Sequence, residues 1–208
     1  MKHHTHLLAA AAACLLAATS AAAATSVGNT SVDDVTLNAL DADAYVFADG
    51  WNPHAGPAGD TSGFGSGFDS YGSGSWSLLD RLDLNSGFSN NGMLHFAFSQ
   101  LTPNSGTWSV SNVSASNVTL DLVYAMHAGD GGAGFLFDDQ AIMAGQTLNG
   151  TWRIEWFTGA NQAYPAFSNV ALFGRDLQVT PAPEPAAYAM LLAGLGVLGM
   201  AGRRRKAS

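Results

Sequence analysis

From about residue 32 onward, short apolar runs alternate with Gly, Ser, Asn and Asp. Runs of this kind, bounded by turn formers, predict strands. The expected strands are Val32–Asn38, Ala44–Ala48, Trp76–Asp83, Met93–Ser99, Thr107–Val110, Val118–Met126, Gly134–Phe137, Thr151–Phe157 and Asn169–Phe173. Alternation is clear in several. Trp152, Ile154 and Trp156 share one side of an extended chain, with Thr151, Arg153 and Glu155 on the other, which makes a half-buried strand with one wet face. Leu94, Phe96 and Phe98 share a face in the same way, with His95 opposite. No stretch of this region has the spacing and caps of a helix.

A pattern of Gly, hydroxyl, Trp, polar, aliphatic occurs three times, starting at Gly74, Gly106 and Gly150. Each copy reads as a turn glycine opening a strand whose Trp points inward. The unequal spacings exclude a regular repeat architecture. Core packing is the favoured role for these tryptophans, and an exposed row that stacks on sugar rings is the alternative. Between Asp49 and Ser75, eight glycines are interspersed with Trp51, Phe64, Phe68 and Tyr71. A long glycine-rich segment is either functional or loosely ordered. Its aromatics are expected either to pack down as a lid or to form a ligand-binding surface, with Trp51 and Tyr71 as the candidate contacts.

The two ends have a different character. Residues 1–24 combine a mildly basic start, an Ala/Leu-rich run from Leu7 to Ala18 and small residues at Ala22–Ala24, the layout of a secretory signal peptide cut after Ala24. The only cysteine, Cys14, lies inside that run without a lipobox, so the mature chain is expected to have no thiol, no disulfide and no cysteine metal site. At the other end, Pro181-Ala182-Pro183-Glu184-Pro185 gives an extended linker. The uncharged residues 186–202 reach the lower limit for a membrane-crossing helix. Arg203, Arg204, Arg205 and Lys206 follow as a basic stop that stays cytoplasmic.

Charge narrows the partners. The body from 25 to 180 holds three arginines, no lysine and fifteen acids, a formal charge of −12. Phosphate binding needs basic side chains, so nucleic acid is excluded. Anionic membrane surfaces repel such a body, while neutral polysaccharide and cations do not.

The tail resembles a PEP-CTERM sorting signal. The matching residues are Pro183, Glu184 and Pro185, the Gly-rich apolar segment, and Arg203, Arg204 and Arg205, all within the last 28 residues. The resemblance implies export through the inner membrane of a Gram-negative bacterium by signal peptidase and the general secretion machinery. It further implies a transient inner-membrane anchor with a periplasmic body, and recognition by an exosortase that cuts near Pro-Glu-Pro. Delivery to the cell surface or the extracellular, exopolysaccharide-associated matrix would follow. The stretches 33–53, 74–83, 118–139, 150–157 and 167–175 resemble a recurring group of ectodomains carrying such tails, which implies a β-sandwich and supplies no catalytic residues.

Little else points to chemistry. Gly129 to Gly134 fits a dinucleotide fingerprint in letters only, because a strand pattern and not a helix follows it, so it reads as a hairpin turn. Gly63 to Gly67 places its serine wrongly for a nucleophile elbow. His54, His95 and His127 lie far apart and form no zinc pattern. Calcium is the ligand the acids suit best, through Asp41 and Asp43 on one side of an extended segment and through Asp130 with Asp138 and Asp139 around Gly134–Phe137. Otherwise no cofactor and no catalytic residue are expected.

The expected protein is all-β: one antiparallel, jelly-roll-like β-sandwich over 25–180, between a signal peptide (1–24) and a sorting signal (181–208) containing a single transmembrane helix (186–202) and a basic tail (203–206). The expected function is structural or adhesive and not enzymatic, with a carbohydrate-binding module and a secreted hydrolase as alternatives.

Overall fold

The structure, a computed structural model, describes residues 25–159 and 162–182, together with Ala193 and Leu195. The signal peptide, Pro183–Pro185, the rest of the expected helix 186–202 and the basic tail lie outside the described residues. Among the described residues no helix is long and apolar enough to cross a membrane.

The described residues form ten strands: β1 (Thr36–Leu37), β2 (Leu40–Asp41), β3 (Ala44–Asp49), β4 (Ser77–Arg81), β5 (Leu94–Thr102), β6 (Ser105–Asn112), β7 (Ser116–Ala128), β8 (Gly131–Ile142), β9 (Thr147–Arg153) and β10 (Phe167–Pro181). Short 3-10 turns occupy Val32–Asp34 and Gly65–Phe68. Every strand pairing is antiparallel. The eight long strands divide into a five-stranded sheet, in the order β3-β8-β7-β10-β4, and a three-stranded sheet, in the order β5-β6-β9. This unequal division departs from the jelly roll expected above, in which eight strands are shared evenly between two sheets.

The two sheets face each other across one core. β7 supplies Leu120, Leu122, Tyr124 and Met126, and β8 supplies Phe135 and Phe137. These meet Phe96, Trp108, Val110, Leu148 and Trp152 from the three-stranded sheet. Trp108 joins the layers directly, with its ring 4.8 Å from Tyr124 and 5.9 Å from Phe137.

A second core covers the other face of the large sheet. Val123, Ala125, Leu136, Ala171 and Phe173 point away from the first core and are capped by Trp51, Phe64 and Phe68. The glycine-rich segment is therefore a lid packed onto the sheet. Phe64 is its centre, with its ring 5.2–5.7 Å from those of Trp51, Phe68, Trp76 and Phe173. The lid can approach because β8 carries glycine beneath it: a Cβ on Gly132 would lie 2.7 Å from the Trp51 ring. Burial on both faces explains why β7, β8 and β10 read as nearly continuous apolar runs. Gly129 and Asp130 form the tight turn joining β7 to β8, as the sequence predicts, with Gly129 at φ +61°.

Candidate functional site

The three-stranded sheet has one buried face, and its outer face carries an open recess. A groove of about 610 Å3 runs over it, bounded on one side by Thr36 and Ala39 of the β1–β2 hairpin. That volume lies within the ~300–1,000 Å3 range of small-ligand sites. Its floor is built by register. Ser99, Thr107 and Thr151 lie opposite one another across β5, β6 and β9, and Ala97, Ser109 and Asn149 form the next row. Side chains in such rows stand about 4.8 Å apart across the strands and about 7 Å apart along them. No lining residue is charged, in a body of formal charge −12.

Two glycines under this floor were expected to open strands as turn residues. They are instead in the ladders, where Gly106 lies opposite Trp152 and Gly150 lies opposite Trp108, with Thr107 facing Thr151 between them. A Cβ on Gly106 would lie 2.8 Å from Trp152 Nε1, and one on Gly150 would lie 2.5 Å from Trp108 Nε1. Each Gly-Thr-Trp copy thus makes room for the indole of the other. Both indoles are buried, and Trp108 Nε1 donates to the Thr36 carbonyl at 3.0 Å, which pins the hairpin at the groove wall. Burial rules out an exposed tryptophan row. The third copy does open a turn, with Gly74 at φ +107°, and sends Trp76 to the lid.

The residues expected to bind ligand in the lid are not brought together. Trp51 is buried and donates through Nε1 to the Asp60 carbonyl at 3.2 Å, so its ring packs against the core and presents no face to a sugar. Tyr71 is half-exposed and donates to the Asp43 carbonyl at 3.3 Å.

The acids proposed for calcium divide likewise. Asp130 sits in the β7–β8 turn, whereas Asp138 and Asp139 lie seven or more residues along the extended β8. That separation is on the order of 23 Å. Asp41 is exposed in β2. Asp43 does approach Asp138, accepting its backbone N–H at 2.8 Å, and Asp121 accepts that of Asp139 at 3.1 Å. Partial burial, followed by the neighbouring charges of Asp121, Asp139 and Asp43, raises the Asp138 pKa. Among the described residues no three His, Cys, Asp or Glu side chains form a metal-holding group. Burial lowers the pKa values of His54 and His127, and His54 is held through Nε2 at 2.9 Å from the Val170 carbonyl.

The other functional element is where the fold hands the chain to its tail. β10 pairs with β7 from Phe167 opposite Ala128 to Pro181 opposite Ser116. The expected free linker therefore begins as a hydrogen-bonded strand, and only Ala182 separates it from Pro183-Glu184-Pro185. The family model of the PEP-CTERM protein-sorting motif matches residues 181–206. The chain carries a PEP-CTERM sorting motif. This motif is the recognition signal of exosortase, so the protein is exported, held at the membrane for sorting, and directed to the surface. The PEP-CTERM motif accounts for the tail alone. No curated protein and no solved structure matches the chain.

Proposed function

We propose that the sorted protein is a non-enzymatic surface or extracellular-matrix component that adheres to neutral exopolysaccharide through the outer face of its three-stranded sheet. The observation that carries this reading is the uncharged floor of Ser99, Thr107, Ser109, Asn149 and Thr151. A hydroxyl-rich polymer can exchange its water hydrogen bonds for those of such a floor, with each net bond contributing about 1 kcal/mol. A charged polymer finds no ion-pair partner there. The sorting motif supports the destination, because an exported adhesive works where polysaccharide is laid down. A carbohydrate-binding module is the same reading with a single defined glycan as ligand, and the groove's ligand-sized volume favours it where one short glycan suffices.

The test is co-sedimentation of the protein with insoluble neutral glucans and with the producing cell's own purified exopolysaccharide. Binding is expected, and S99E with T107E is expected to abolish it, since both side chains are exposed and their change leaves the core intact. Equal binding by the double variant would remove the groove from the reading. Turnover of any glycoside or ester in a substrate panel would overturn the non-enzymatic role.

A further inference from the structure

The end of the sandwich from which the tail departs is unlike the rest of the body. Three turns meet there: residues 90–93 before β5, 112–117 between β6 and β7, and 142–147 between β8 and β9. Beside them runs the last part of β10, residues 177–182. None of these segments contains Asp, Glu, Lys or Arg. They expose Met93, Val113, Met143 and Val179, with relative exposures of 37, 54, 52 and 49 %.

Many backbone groups of this end are satisfied from within, and Asn90 N donates to the Asp80 carboxylate of β4 at 2.7 Å. Buried Asn112 donates through Nδ2 to the carbonyls of Ser116 (2.7 Å) and Ile142 (2.9 Å), and its Oδ1 accepts from Ser114 N at 3.0 Å. Val113 N donates to Met93 O, Gly145 N to Asn112 O and Gln146 N to Met143 O, each at 2.9 Å. Ala144 N donates to Asn117 Oδ1 at 3.0 Å. A surface with many of its backbone groups paired, no charged residue in its own segments and apolar side chains outermost can enter a poorly hydrated layer while leaving few donors unmet.

The chain beyond the described body says what lies opposite. Pro181 is still paired to Ser116, and the uncharged segment begins at Ala186. Five extended residues reach at most about 18 Å. We infer that, while the tail is anchored, this end of the sandwich rests on the lipid headgroup layer, with Met93, Val113 and Met143 as its contacts. The inference rests on the reading that residues 186–202 insert into the bilayer. It also resolves a conflict of charge. An anionic surface repels a body of formal charge −12, and this is an end the body can bring close at small electrostatic cost. Asp139 and Asp176 are the last charges before it along β8 and β10.

The test uses the full chain with Cys14 replaced by Ser, carrying single cysteines in V113C, M143C, D130C or L195C and an environment-sensitive fluorophore on each. The proteins are reconstituted in phosphatidylcholine–phosphatidylglycerol vesicles, with and without headgroup spin-labelled lipid. Labels at 113 and 143 are expected to shift to the blue and to be quenched by the spin label. The label at 130, at the far end of β7 and β8, is expected to do neither, and that at 195 to be shielded from aqueous iodide. If 195 is shielded while 113 and 143 behave like 130, the proposal falls and the anchored tail stands. If 195 is open to iodide, the membrane reading falls and takes the proposal with it. A blue shift at 113 and 143 without spin-label quenching would show a second protein copy on this end and overturn the lipid contact.

Discussion

Arg175 Nε donates to Asp121 Oδ2 at 2.7 Å, and both side chains are buried. The same guanidinium donates from Nη2 to the Phe68 carbonyl at 3.0 Å and lies 4.3 Å from the centre of the Trp76 ring. One residue of β10 therefore fastens the glycine-rich lid to the large sheet through an ion pair, a backbone carbonyl and an aromatic face.

Removing one member leaves the other charge buried alone. Arg175→Met is expected to cost about 3–5 kcal/mol in urea unfolding and to open the lid to proteolysis between Asp49 and Ser75. Arg175→Met with Asp121→Leu is expected to recover most of that loss, because two buried charges disappear together. A double variant as weak as the single one would locate the cost in the Phe68 and Trp76 contacts of Arg175 together with the Asp139 N–H that Asp121 accepts.

Stability should also depend on pH through Asp34. Its side chain is fully buried, and burial raises its pKa to about 7 although Arg153 Nε lies 3.0 Å away. The folded value exceeds the ordinary carboxylate value of 3.8, so the native state holds the extra proton between the two. Asp34 thus makes the protein less stable as pH rises from about 4 to about 7. Asp34→Asn is expected to match the parent at pH 3 and to exceed its stability at pH 8 by roughly 3 kcal/mol in chemical denaturation. A less stable variant at pH 8 would mean that Arg153 holds the carboxylate charged.

The interlocked glycines give a packing test. Gly106→Ala and Gly150→Ala are each expected to cost about 2 kcal/mol, since the added methyl meets a neighbouring carbonyl and the opposite indole. Gly65→Ala, with nothing within 4 Å of its Cβ position, should change stability by less than about 0.5 kcal/mol. Thermal unfolding followed by tryptophan fluorescence reads all three.

Processing can be read from intact mass. Protein recovered from cells and medium is expected to begin at Thr25 and to end near Pro185, and replacement of Glu184 by Ala is expected to leave Arg203 to Ser208 attached. A wild-type product that retains those residues would mean a permanent tail anchor.

Much of the fold was legible because β structure is written in local alternation. Each of the nine expected strand regions contains strand, although Val32–Asp34 turns as a 3-10 segment and β9 runs from Thr147 to Arg153, earlier than expected. What escaped depends on register and on the third dimension. Gly74, Gly106 and Gly150 look alike in sequence, yet only Gly74 takes a left-handed φ; the other two are glycine because of what faces them from a different strand. The acids around Gly134–Phe137 look neighbourly in letters, but an extended β8 drives Asp130 away from Asp138. Trp51 looks available for stacking until the lid folds onto Gly132. The groove floor carried no signal, because Ser and Thr on a wet strand face are ordinary until three strands align them. The tail was legible outright, since its Pro-Glu-Pro, uncharged stretch and basic stop are read from linear order alone.

The pairing of β10 with β7 as far as Pro181 has a mechanical consequence. If the body is held by its tail end while the outer sheet grips polymer, tension enters at Pro181 and pulls along β10, between its neighbours. Its ladder to β7 extends from Ser116 to Ala128, so the hydrogen bonds are loaded in shear and share the force, where an edge strand peeled sideways would lose them singly. A sandwich tethered in this way can bear drag without first paying out slack.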